Sequence, residues 1–129
     1  LQRETGMALI LITHDLGVVA SVADRISVMY AGRIAEHGSV HDIYARPGHP
    51  YTRALIDSIP KQSRAAGEPL RTIRGLPPNL TRIPPGCAFH PRCPIAQDVC
   101  RVEVPPPVLL GNDRYATCHF AREVVDGRP

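Results

Sequence analysis

The sequence predicts an α/β protein. Three observations in its first forty residues carry that expectation. Met7-Ala8-Leu9-Ile10-Leu11-Ile12 is a run of six apolar residues with Gly6 before it and Thr13-His14-Asp15 after it. A short apolar run bounded in this way reads as a strand buried on both faces, as in a parallel sheet covered by helices. Leu16, Val19, Ala20 and Ala23 then recur at helical spacing, and residues 24–30 alternate as a half-buried strand should.

In chain order, residues 1–6 read as the last turns of a helix closed by Gly6. Asp15 is placed to cap the helix that follows the first strand. Ala31-Gly32 marks a tight turn between the strand at 24–30 and a returning strand at 33–38. Ser39 is placed to cap a short helix through Tyr44, and Pro50 to open another. Tyr51, Leu55 and Ile59 share one face of that helix, and Pro60 ends it. His49 and Tyr51 read as parts of a packed helix start rather than as a ligand site. In parallel sheets ligands bind outside the carboxyl ends of the strands. His14 therefore stands where such a protein does its chemistry, unless it merely ends a strand at the surface.

Composition divides the chain. Residues 1–46 hold none of the 14 prolines and residues 60–129 hold 12, so regular structure is expected early and loops and turns later. Aromatic residues make up only 5% of the chain and there is no Trp, which leaves few large anchors for a self-sufficient core. The start lacks Met and a signal peptide, and the chain reads as a piece of something longer. No apolar run approaches the ~20 residues needed to cross a membrane. Residues 61–82 carry Lys61, Arg64, Arg71, Arg74 and Arg82 against Glu68, a local charge of five minus one, +4. Nucleic-acid binding would call for aromatics among those cations, and there are none. The stretch reads as a solvated basic linker, with proximity to anionic lipid as the sharper alternative.

Cysteine organises the last third. Cys87, Cys93, Cys100 and Cys118 form a C-x5-C-x6-C-x17-C pattern among prolines. Four thiols clustered in a loop-rich segment favour a metal over disulfides if the protein is cytosolic. Zinc could take all four thiolates, or His90 or His119 in place of one. An iron–sulfur cluster also takes four cysteines, and the spacing alone does not decide between them. Four reduced cysteines without metal are the bland alternative.

The order of elements and the wording Leu-Ile-Thr-His-Asp-Leu-Gly-Val-Val-Ala, then Asp-Arg-Ile-Ser-Val-Met-Tyr-Ala-Gly-Arg-Ile, resemble the end of an ABC-type nucleotide-binding domain. The likeness is to the ATP-binding subunits of dipeptide, oligopeptide and nickel importers. It continues through His-Pro-Tyr-Thr-Arg-Ala-Leu at residues 49–55. Gly75-Leu76-Pro77-Pro78 and Pro-Gly-Cys-Ala-Phe-His-Pro-Arg-Cys then resemble the C-terminal extension of that family.

The resemblance implies three regions: the end of the nucleotide-binding domain at 1–45, a helix and basic linker at 46–82, and the four-cysteine extension at 83–129. It implies that His14 is the switch histidine, contacting the γ-phosphate of ATP, with Mg, in the full-length parent. It also tips the reading of Cys87, Cys93, Cys100 and Cys118 toward a [4Fe–4S] cluster, with zinc as the alternative. The implied partners are a second ABC ATPase subunit, two membrane permease subunits and, indirectly, a solute-binding protein, at the cytoplasmic face of the cell membrane. No nucleic acid is implied. The chain departs from the family in having no G-x-x-x-x-G-K-[ST] loop, no Gly-rich signature and no Asp-Glu pair for magnesium. The expectation is therefore a fragment inactive by itself. A free-standing metal-binding or regulatory module is the other reading.

Overall fold

The computed structural model describes residues 2–59 and 73–128. The expectations for Pro60, Lys61, Arg64, Glu68 and Arg71 lie outside the described residues. Helix α1 (Gln2–Thr5) ends at Gly6, whose φ of 67° is the left-handed geometry of a helix terminus. Helix α2 (Leu16–Val22) starts at Asp15, whose side chain accepts the Val18 N–H at 3.2 Å. Strands β1 (Arg25–Tyr30) and β2 (Arg33–Ser39) pair antiparallel through a two-residue turn. Ala31 and Gly32 there have φ of 49° and 76°, the geometry that matches strand twist.

Ser39 ends β2 and caps helix α3 (Val40–Ala45) by accepting the Asp42 N–H. Helix α4 (Pro50–Asp57) has Pro50 in its first turn, and the His49 side chain accepts the Tyr51 N–H at 3.0 Å. The expected packed helix start at His49 is thus what the structure has. A single 3-10 turn (His90–Arg92), helix α5 (Asp98–Val102), strands β3 (Val108–Gly111) and β4 (Arg114–Ala116), and helix α6 (Ala121–Val125) complete the chain.

The sheet order is β1-β2-β4-β3, antiparallel throughout. It therefore joins the proline-free start of the chain to its far end. The β3–β4 hairpin was not expected from the sequence. It turns at Asn112-Asp113, with φ of 49° and 55°, the same two-residue geometry as the first hairpin.

One expectation is corrected. Met7–Ile12 and the residues up to His14 form no strand, and no parallel pair exists among the described residues. A strand needs a neighbour for its backbone N–H and C=O groups and a cover for its side chains. Nothing among the described residues supplies either, and Ile10 and Ile12 are 89% and 94% exposed.

The core lies between the sheet and the segments that follow it. Ile26, Val28 and Ile43 are its first part, with Val19, Tyr51 and Leu55 packed against them. Tyr30, Ala35 and Phe89 form the second, touching Cys87 and Cys93. Ala116, Cys118 and Ala121 form the third. A bulge in the β1–β2 ladder, where Val28 faces Glu36 but Met29 faces Ile34, leaves Ala35 unpaired with β1. Ala35 and Glu36 are consequently both buried. The spare Ala35 carbonyl accepts the Thr117 N–H at 2.8 Å.

Candidate metal centre and strand-end histidine

The four cysteines come from four different local structures. Cys87 follows Gly86 on the loop before the 3-10 turn, and Cys93 ends that turn, donating its N–H to His90 O at 3.3 Å. Cys100 lies within α5, and Cys118 lies between β4 and α6, its carbonyl accepting the Ala121 N–H. All four are free thiols. The first and third are joined by backbone: the Cys87 N–H donates to Cys100 O at 2.9 Å.

That contact needs a glycine at 86. A Cβ there would lie 2.4 Å from Cys100 O and 2.8 Å from the Arg101 carbonyl carbon, and the φ of Gly86 is 71°. Phe89, 2% exposed, anchors the same loop. Its ring meets Tyr30 edge-on at 5.2 Å and Tyr51 at 5.3 Å between centroids.

Burial pushes the Cys87 thiol up, the Cys93 thiol to about 11 and the Cys118 thiol to about 12. Backbone N–H groups bonded to these sulfurs oppose the shift. A weaker upward push comes from the other cysteines, and every one of the six pairs among Cys87, Cys93, Cys100 and Cys118 is close enough to contribute. The structure thus brings all four expected ligands into one neighbourhood. Among the described residues, however, no three His, Cys, Asp or Glu side chains converge closely enough to hold one metal ion. The two histidines considered as substitutes bond elsewhere: His90 Nδ1 with Cys87 O at 2.9 Å, and His119 Nε2 with Glu103 O at 3.1 Å.

His14 stands on the exposed stretch before α2 and is not among the groups whose charge reaches the cysteines. Its neighbour Asp15 is the α2 cap and donates its N–H to Thr13 Oγ1 at 3.0 Å. Asp15 is thereby used locally, as its position in the sequence suggested.

Two residues that the sequence did not single out hold this region together. Glu36 on β2 and Arg114 on β4 are 0% and 3% exposed and pair at 3.1 Å. Glu36 also accepts the N–H groups of Gly48 at 2.7 Å and His49 at 3.1 Å, while Arg114 donates to the Arg46 carbonyl. No spacing in the sequence marks these partners, which are 78 residues apart. Gly86 had a signal, the glycine of Pro84-Pro85-Gly86-Cys87, where the chain must turn before a ligand.

No helix among the described residues is long and apolar enough to cross a membrane. Residues 35–100 match the profile of the family described as oligopeptide/dipeptide transporter, C-terminal region. The chain is 44% identical over 129 residues to a peptide import ATP-binding protein of Brucella ovis, covering 96% of this chain and 38% of that one. It is 48% identical over 120 residues to one of Brucella abortus, covering 93% and 35%. It is also 48% identical over 119 residues to a peptide ABC transporter ATP-binding protein of Sinorhizobium fredii, covering 92% and 34%. The chain therefore spans 34–38% of the length of these relatives.

Proposed function

This chain belongs to the family of the C-terminal region of oligopeptide/dipeptide transporters, and from that premise we propose that it is the C-terminal part of the ATP-binding subunit of a peptide importer. The observation that carries the reading is near-complete coverage of this chain at 44–48% identity by relatives that are far longer than it. Residues 1–45 are the end of the nucleotide-binding domain, residues 46–82 a helix and basic linker, and residues 83–129 the four-cysteine extension. The subunit works at the cytoplasmic face of the membrane with a second ATPase subunit and two permease subunits, fed by a solute-binding protein. ATP with Mg is its substrate.

In the whole subunit His14 meets the γ-phosphate and the attacking water when two ATPase subunits close on ATP. An imidazole can accept or donate a hydrogen bond there without the full charge of a lysine. Phosphoryl transfer needs positioning and electrostatic stabilisation from several groups at once. None of the others occurs in these 129 residues, so the chain alone releases no phosphate. In the full-length subunit, His14→Ala should lower ATP hydrolysis by roughly 10²-fold, as for loss of a positioned catalytic group, with nucleotide affinity retained. Phosphate release and nucleotide titration read the two separately. Lost affinity or unchanged turnover would overturn the role given to His14.

Cys87, Cys93, Cys100 and Cys118 hold a [4Fe–4S] cluster in this reading. The support is the donor set, four thiols within electrostatic reach of one another. When bound, a cluster cross-links loops that otherwise share little core and can carry an electron. Chain made and kept without oxygen should contain iron and sulfide in equal amounts. One zinc and no sulfide would replace the cluster with a zinc site. No metal, with thermal stability unchanged by Cys→Ser substitution, would leave four plain thiols.

A further inference from the structure

A cleft of about 160 Å³ opens where the start of β2 meets the loop at 86–89 and the segment at 104–105. Phe89, Val104 and Pro105 give it apolar walls, and Arg33 and His49 are the two lining residues with nitrogen in their side chains. A carbon-lined space of roughly this size is enough to take up a benzene ring.

His49 presents an N–H that lacks an acceptor. The residue is 3% exposed, and its Nδ1 accepts the Tyr51 N–H at 3.0 Å. Burial keeps the ring neutral by lowering its pKa to about 4. A neutral imidazole that accepts at Nδ1 carries its proton on Nε2. No described residue accepts from Nε2, yet that atom is not sealed from solvent. With the rest of the ring buried, its opening is the cleft that His49 lines. The Thr117 hydroxyl, also on the cleft, is directed to the Ile34 and Ala35 carbonyls at 2.8 and 3.1 Å. A donor so withdrawn from bulk water costs stability unless something in the cleft accepts from it.

Arg33 sets the charge of that acceptor. It is exposed, and it forms no ion pair or side-chain hydrogen bond among the described residues. A guanidinium matches a carboxylate in both charge and shape. Apolar walls suit a carbon chain and disfavour an anion that is polar all round, such as phosphate. The donors and the walls together ask for a ligand with oxygens at one end and carbon at the other.

We infer that this cleft binds a short aliphatic carboxylate, its oxygens taken by the His49 Nε2–H and the Arg33 guanidinium and its chain by Phe89, Val104 and Pro105. The inference rests on neither the nucleotide reading nor the cluster reading.

The test titrates the full 129-residue chain, isotope-labelled, with isovalerate at neutral pH and constant ionic strength. Two-dimensional NMR follows the backbone amides and the His49 ring nitrogens. Isovaleramide keeps the chain and a carbonyl acceptor but has no charge. Acetate keeps the charge and lacks the chain. Isovalerate should give saturable shifts at Ala88, Phe89 and His49 Nε2. The amide and acetate should each bind roughly tenfold more weakly, for a lost charge and lost methylenes respectively.

Arg33→Gln should weaken isovalerate roughly tenfold and leave isovaleramide unchanged. Arg82→Gln, at an exposed arginine outside the cleft, should change neither. Ala88→Leu adds carbon to the cleft wall and should abolish saturable binding. If that variant does not fold, Val104→Trp narrows the same cleft from a residue that is 54% exposed. Shifts that never saturate, or equal affinity for isovalerate and isovaleramide, overturn the inference and leave water as the partner of His49. Affinity unchanged by Arg33→Gln also overturns it. Isovalerate held as tightly by the filled cleft would mark a surface ion pair, which overturns it too.

Discussion

His49 shows how one residue's surroundings set its chemistry. It is buried beside Phe89 and accepts a hydrogen bond from the Tyr51 N–H, and burial lowers its pKa from 6.5 to about 4. Above pH 6.5 it is neutral whether the chain is folded or not, and its full contribution to stability is present. As pH falls below 6.5 the unfolded chain gains a proton that the folded chain refuses, so stability drops. The loss is complete near pH 4 and is on the order of 3 kcal/mol at 1.36 kcal/mol per pH unit. His49→Asn keeps a capping oxygen but has no proton to gain. Urea unfolding between pH 4 and 7 should show the acid loss shrinking in the variant. An identical pH slope in both chains would assign that loss to other groups.

At the scale of elements, the meeting of α5 with the loop before the 3-10 turn depends on Gly86. A methyl group there collides with backbone atoms of Cys100, Arg101 and Val102, which cannot swing aside as a side chain could. The left-handed φ adds strain for any other residue. Gly86→Ala should cost about 2 kcal/mol or more and separate Cys87 from Cys100. The measurement is urea unfolding together with the iron content of anaerobically prepared protein. Native stability and full iron would show that the loop can move off α5 freely. The two hairpins carry a related lesson about local signals. Ala31-Gly32 announced its turn, and Gly111-Asn112-Asp113 between Val108-Leu109-Leu110 and Arg114-Tyr115-Ala116 announced the other equally well. The prolines around the second obscured it.

Across the whole molecule, the Glu36–Arg114 pair is the buried junction of β2, β4 and the loop at 46–49. Removing one member of a buried pair leaves the other charge without compensation, at a cost of about 3–5 kcal/mol. Glu36→Met should therefore destabilise strongly. Glu36→Met combined with Arg114→Met should recover part of that loss, because no charge is then stranded. The double variant should still fall short of the native chain, since the Gly48 and His49 N–H groups lose their acceptor. A double-mutant cycle by urea unfolding measures the coupling. Additive losses would mean that the pair does not act as a unit.

The sequence by itself determined the elements whose signals lie within a few residues of one another. Asp15, Ser39 and Pro50 start their helices, and Ala31-Gly32 turns its hairpin, because caps and turns depend on backbone groups one to three positions away. It also named the four cysteines as a group, by residue type and crowding alone. Only the tertiary structure decided which long-range partners exist. The apolar run at residues 7–12 has the composition of a buried strand, yet a strand is a relation between two segments and none of the described residues supplies the second. Glu36 became a buried acceptor because a bulge at Ala35 turned it inward toward Arg114, 78 residues away. Cys87 came to lie against Cys100 because Gly86 let its loop rest on the backbone of α5. Contacts of this kind depend on how distant segments pack, and no local preference of the chain encodes them.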